Sequence, residues 1–294
     1  MPARRLASGE IEFLGSRHIG QLATLQIPCG QCAECRLKRS REWAIRCVHE
    51  SSLHADNCFI TLTYRDNDRA VSLNYRDFQL FMKRLRKQFP RDRIGFFCCG
   101  EYGETNPATR CKDGGKYRAH FHAILFNFNF PDRQPCRLLS DTKLENSALL
   151  DRLWGYGDCK IGAVTFESAS YVARYAMKKV NGDLQQQTYE LVTNDGEIIN
   201  RTPEMLCMSK RPAIGRRWFE KHGKQVYAFD AVISRGHEMQ PPRYYDKLLP
   251  PVVLQLVQQQ RIIDGSAHAA DHTIERDKVR DTVIRAGLSQ KLRS

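Results

Sequence analysis

Apolar positions recur along this chain with two different periods, and the switches between them mark out its elements. Asn57 to Tyr64 (NCFITLTY) is β-branched and aromatic, the composition of a strand. Tyr75 to Gln88 (YRDFQLFMKRLRKQ) instead sets Phe78, Phe81, Met82 and Leu85 at helical spacing, with Asn74 available as the cap and Pro90 just beyond the end. Ile94 to Tyr102 (IGFFCCGEY) reads as a second strand, residues 103 to 117 as a polar, Gly-containing loop, and His120 to Phe128 (HFHAILFNF) as a third strand. A helix over Lys143 to Leu153 and a fourth strand over Lys160 to Glu167 (KIGAVTFE) follow.

The order β-α-β-β-α-β predicts an α+β fold on the split βαβ, or ferredoxin-like, plan: an antiparallel sheet with helices on one face, the other face left open for a site. Before it, residues 1 to 28 show no clear period and read as an extended lead-in. A basic helical segment from Arg36 to His54 then sets Leu37, Trp43, Ile45 and Val48 on a buried side. After it, Ser170 to Lys179 (SYVARYAMKK) is another helix, and Gly182, Asp195 and Gly196 place a hairpin or excursion within residues 181 to 210. Beyond Gly236, prolines punctuate a basic tail with two helical stretches and little core of its own. The expected organisation is an N-terminal cysteine-containing segment and helix over 1–56, a central domain over 57–235 and a helical, basic tail over 236–294.

The 294 residues are 41% hydrophobic, enough to fill a core. No stretch reaches the roughly 18 uninterrupted apolar residues of a membrane span, and MPARRLASGE lacks the apolar centre of a secretory signal, so the chain reads as soluble and intracellular with no membrane partner. Forty-six Lys and Arg against 33 Asp and Glu give a formal charge of +13, which points to a polyanionic partner, nucleic acid before membrane. The 11 cysteines are an odd number in a large chain without an export signal, which fits reduced thiols, some of them holding a metal.

Side chains alternate across a sheet, so His120 and His122 share one face, roughly 7 Å apart, while Phe121 enters the other. Two imidazoles so placed can bind one divalent ion. An isolated HxH is also compatible with a surface pair, but the run AILFNF marks this strand as a core element. Glu101, at the end of the preceding strand, can bring a carboxylate beside them, with Glu104 a competing ligand; such a set suits Mg²⁺ or Mn²⁺ polarising a phosphodiester. On the helix, Tyr171 and Tyr175 are four residues apart and share a face, with Lys178 and Lys179 one turn later. A phenolic oxygen is a competent nucleophile on phosphorus when its charge is stabilised, although aromatics at this spacing are also ordinary core packing.

Cys29, Cys32 and Cys35 form CxxCxxC and could bind a structural Zn²⁺, with Cys47, His49 or Cys111 as fourth ligand; small hydrophobic packing is the other reading. Arg36, Arg39, Arg174, Lys178, Arg211 and Arg216 are candidate DNA contacts, as are Lys38, Arg41, Arg46, Lys83, Arg84, Arg86, Lys87 and Arg217, with Tyr64, Tyr102, Tyr117, Trp218 and Trp43, the last also a core candidate, as base-stacking platforms.

HFH after GEYG, followed by YVARYAMKK, resembles the HUH endonucleases, and within them the two-tyrosine replication initiators of microviruses. PCGQCAECRLKRSREWAIRCVHE and FITLTY are similar to the gokushovirus branch, and the likeness spans roughly residues 27 to 220, including MSKRPAIGRRWF. The resemblance implies a rolling-circle initiator: His120 and His122 as metal ligands, Tyr171 and Tyr175 as nucleophiles on origin or single-stranded DNA, and Lys179 as a charge-stabilising helper. It implies a covalent 5′ link and a 3′ hydroxyl that primes synthesis with the host helicase and polymerase in the bacterial cytoplasm. A related relaxase or transposase, or a non-catalytic zinc-stabilised nucleic-acid-binding protein, are the alternatives.

Overall fold

The four strands read from the sequence lie side by side within a seven-stranded antiparallel sheet, in a computed structural model that describes residues 2–293 apart from 7, 9, 14–24, 31, 66–70, 104–116, 137–142, 176–188, 193–195 and 268–272. The strands in chain order are β1 (Pro2–Arg5), β2 (Ile11–Phe13), β3 (Leu25–Gln26), β4 (Asn57–Thr63), β5 (Gly95–Tyr102), β6 (Ala119–Phe126), β7 (Gln134–Pro135), β8 (Glu145–Asn146), β9 (Cys159–Gly162), β10 (Glu190–Val192), β11 (Ile198–Asn200), β12 (Met205–Met208), β13 (Val232–Ser234) and β14 (His237–Met239). The helices are α1 (Ala33–Ser51), α2 (Tyr75–Gln88), α3 (Ala148–Trp154), α4 (Phe166–Tyr175), α5 (Arg216–Phe229), α6 (Arg243–Asp246), α7 (Pro251–Ala267) and α8 (Ile274–Arg293). The chain forms two compact units, Ser40–Gln260 and Met1–Arg39 with Arg261–Ser294.

In the larger unit the sheet order is β12-β5-β6-β4-β9-β8-β7, so the four expected strands are contiguous. Period-two alternation sends Ile60, Leu62, Phe121, Ala123 and Leu125 to one face, where Phe78, Phe81 and Leu85 of α2 and Leu150 and Trp154 of α3 cover them. The opposite face carries Phe97, Cys99, Ile124 and Phe126 against Ala44 and Cys47 of α1 and Ala169, Val172 and Ala173 of α4. Helices therefore cover both faces, which corrects the expectation of an open one. The reason is visible in β5 and β6, whose last six residues are all buried, while β4 alternates strictly.

Several boundaries differ from the sequence reading. Helix α1 starts at Ala33 instead of Arg36, and its buried residues are Ser40, Ala44, Ile45, Arg46, Cys47, His49 and Glu50. The α3 helix is shorter than Lys143 to Leu153 because Glu145–Asn146 pairs in the sheet and the Ser147 hydroxyl then accepts from Leu150 N–H as an N-cap. Strand β9 ends at Gly162, and α4 begins at Phe166 because the Thr165 and Ser168 hydroxyls each accept from the other's backbone N–H, a local cap that ends the strand early. The α2 bounds and its Asn74 cap agree with the sequence reading. Within residues 181 to 210 lies the β10–β11 hairpin, while β12 adds an unexpected edge strand beside β5. In the smaller unit, Pro2–Arg5, Ile11–Phe13 and Leu25–Gln26, within the span expected as an extended lead-in, pair as a sheet of order β2-β1-β3.

Candidate functional site

Strand register assembles the site. Glu101 of β5 pairs directly with His120 of β6, and His122 lies between Cys99 on β5 and Thr61 on β4. Phe121 goes to the other face and packs against Tyr64, Phe78 and Trp154. Gly100 makes room for it: a Cβ there would stand 3.0 Å from the Phe121 ring and from Leu73. That close fit locks the register of the two strands at the point where His120, His122 and Glu101 must align.

Glu101 is only 2% exposed and His122 7%. Both His120 Nε2 and His122 Nε2 lie 2.8 Å from Glu101 Oε1, and the three ligand atoms all lie within 4.8 Å of one another. The other imidazole nitrogens face outward to fixed partners. His120 Nδ1 is 3.0 Å from the Arg118 carbonyl, which can only accept, so Nδ1 carries a proton; His122 Nδ1 is 3.0 Å from the Thr61 hydroxyl. These are the outer hydrogen bonds that set a ligating histidine's tautomer and turn its Nε2 lone pair inward. Burial pushes the Glu101 carboxyl up, yet hydrogen bonds and charge from His120 and His122 outweigh it and hold the group below the usual carboxylate range. Glu101 Oε2 is buried without a hydrogen-bond partner. An orphaned carboxylate oxygen beside two inward nitrogens is a donor set that fits one divalent cation.

Helix α4 brings the phenol. Its small Ala169 and Ala173 pack with Val172 against the sheet, and the Ser40 hydroxyl donates to Ser170 O. Tyr171 thereby stands over His122, ring centroids 4.9 Å apart at 86°, with its hydroxyl 3.3 Å from Glu101 Oε1 and 3.5 Å from His122 Nε2. The Arg174 guanidinium lies 5.8 Å from the centre of the Tyr171 ring. Tyr175 is the last helical residue and its side chain, like Lys178, Lys179 and Glu104, lies outside the described residues.

Elsewhere the structure sorts the remaining candidates. Cys29, Cys32 and Cys35 come together with their sulfurs within 4.8 Å. Two of the suggested fourth ligands are otherwise occupied: Cys47 packs in the sheet core, and His49 stacks on Trp218 and bonds Tyr245. Cys111 lies outside the described residues. Arg36 stands in α1, and Arg39, Arg211 and Arg216 are exposed, Arg216 paired with Glu220. Arg46 is instead buried, its guanidinium bonded to Ile214 O between the rings of Trp43 and Tyr244. Arg84 bonds the carbonyls of Leu153 and Trp154, and Arg86 that of Ile94, so these three arginines serve packing. Tyr64 and Tyr102 are buried and hydrogen-bonded and Trp218 is covered by His49, which removes them as stacking platforms. Thr61 was missed from sequence; only strand register could identify it.

The family model for Replication-associated protein ORF2/G2P matches residues 57–180, the span from β4 through the tyrosine helix. The chain is 34% identical over 251 residues to Replication-associated protein VP4 of Bdellovibrio phage phiMH2K, covering 81% of this chain and 72% of that protein. It is 30% identical over 238 residues to Replication-associated protein ORF2 of Spiroplasma virus 4, covering 75% and 67%, and 28% identical over 239 residues to Replication-associated protein ORF4 of Chlamydia phage 1, covering 77% and 54%. No solved structure matches the chain. With the matched span containing Glu101, His120, His122 and Tyr171, the chain belongs to the family of microvirus replication-associated proteins, initiators of viral DNA replication.

Proposed function

We propose that the chain is a metal-dependent nickase and strand transferase that opens rolling-circle replication by a tyrosine attack on one strand at the origin, on an HUH endonuclease core of the ferredoxin-like plan. The observation that carries this reading is the convergence of Glu101, His120 and His122 with the Tyr171 hydroxyl 3.3 Å from Glu101 Oε1. The strand order β9-β4-β6-β5 with α2 and α3 as connections supports the split βαβ plan.

His120, His122 and Glu101 would hold Mg²⁺ or Mn²⁺, which when bound supplies positive charge to a phosphoryl oxygen. Tyr171 Oη attacks phosphorus: the Tyr O–P bond forms, the P–O3′ bond breaks, and the leaving 3′ oxygen departs as a hydroxyl. Glu101 Oε1 accepts the phenolic hydrogen bond and is placed to relay that proton. The phosphotyrosine ester keeps the energy of the cleaved bond, so rejoining needs no ATP. Tyr175 is the second nucleophile, Lys179 the charge-stabilising helper, Lys178 a DNA contact, and the freed 3′ end the primer used by host helicase and polymerase in the cytoplasm.

Incubating the protein with single-stranded phage origin DNA and Mn²⁺ should yield an SDS-resistant adduct. Tyr171→Phe and Tyr175→Phe should each keep some single-round cleavage, and the double variant should form no adduct. His120→Ala or His122→Ala should abolish nicking and leave DNA binding largely intact. A salt-sensitive complex with no adduct, or an adduct in the double tyrosine variant, would overturn this reading.

A further inference from the structure

The cysteine group at the head of α1 takes no part in that chemistry. None of the three is in a disulfide, and all are partly exposed, with sulfurs within 4.8 Å of one another. A Zn–S bond of about 2.3 Å at tetrahedral angles sets sulfurs about 3.8 Å apart, so a contraction of at most about 1 Å closes the set on one ion. A [4Fe–4S] cluster places each cysteine on a different iron, which needs sulfurs spread wider than this set.

The backbone already brings the three thiols together. Gly30 adopts φ 73°, a left-handed turn that folds the chain back so that Cys32 N–H donates to Cys29 Sγ at 3.1 Å. A donor on sulfur favours its charged form. Cys35 stands in the first turn of α1, which carries its sulfur to the two thiols that precede the helix. The Arg39 guanidinium lies 3.6 Å from the point a Gly30 Cβ would occupy, which adds positive charge at the turn.

We propose that Cys29, Cys32 and Cys35 bind one Zn²⁺ as three thiolates, and that the ion is structural. It clips the chain leaving β3 to the first turn of α1. Three thiolates over-neutralise the ion, leaving it a weak Lewis acid and unsuited to activating water. Among the described residues no fourth His, Cys, Asp or Glu joins the group, so the fourth coordination position belongs to a ligand other than a described side chain.

The test uses the full chain. Elemental analysis of protein purified without added metal should give about one zinc per chain, kept in the His120→Ala, His122→Ala double variant and falling below about one-tenth in a Cys29→Ser, Cys32→Ser, Cys35→Ser variant. Because that variant could misfold, Co²⁺ exchanged into the unsubstituted protein provides a second measurement. Thiolate-to-cobalt charge-transfer absorption with the strong visible bands of a tetrahedral site is expected. A chain with no bound zinc, a chain carrying iron and sulfide, zinc retained by the triple serine variant, or a cobalt spectrum without thiolate bands would overturn the proposal.

Discussion

At the scale of single residues, the site depends on atoms that never meet a substrate. Thr61, the cross-strand neighbour of His122, meets its imidazole at Nδ1, and this contact helps set which nitrogen faces Glu101. Replacing it with valine keeps the shape and deletes the hydroxyl, so Thr61→Val should weaken Mn²⁺ binding roughly 10–100-fold while leaving DNA affinity unchanged. Titrating Mn²⁺ by calorimetry, alongside nicking as a function of Mn²⁺, reads this directly; an unchanged metal dependence would mean that the tautomer is set by something else. The HxH spacing, the nearby carboxylate and the i, i+4 tyrosines were legible because each is a local period. Thr61 was not, since its place beside His122 depends on pairing between segments about sixty residues apart.

At the scale of elements, the helices behind the sheet are joined through one imidazole. His49 of α1 stacks on Trp218 of α5, centroids 3.4 Å apart, and its Nδ1 lies 2.9 Å from the Tyr245 hydroxyl of α6. Burial, helped by the nearby His222, pushes its pKa down to about 3. The sign follows from linkage. Below the ordinary histidine value of 6.5 the unfolded chain takes up a proton that the folded chain refuses until about pH 3, so stability is full above 6.5 and falls with pH across that window. Urea unfolding should show a loss of up to about 1.4 kcal/mol per pH unit from this residue. In His49→Gln that slope should largely vanish; an equal slope in the variant would place the proton uptake elsewhere. Helix α5 itself buries only Gly223 and Val226.

For the molecule as a whole, a formal charge of +13 makes phosphate attraction the dominant source of DNA affinity. Anisotropy titrations with single-stranded DNA should give a logarithm of affinity that falls linearly with the logarithm of salt. Arg36→Ala and Arg39→Ala should each flatten the slope by about 0.7 if each neutralises one phosphate. His120→Ala and His122→Ala should leave it unchanged, because metal ligation and counterion release are separate terms. A slope unaffected by both arginine substitutions would remove α1's head from the DNA contacts. No helix among the described residues is long and apolar enough to cross a membrane.

The α2 helix, the central strands and the spacing within HFH, GEY and the tyrosine helix could all be read along the chain, since hydrophobic period, caps and i, i+2 or i, i+4 spacing are local properties. Which arginines and aromatics are spent on packing could not. Arg46 and Tyr64 look like surface residues until Trp43 and Tyr244 close over one and Asp77 binds the other. Nor did any local pattern show that α1 and α4 would cover the second face of the sheet, or that β12 would extend its edge beside β5. Burial and register arise from the pairing of segments far apart in sequence. A two-residue period tells which side chains share a face, but what covers that face is decided only when the chain closes on itself.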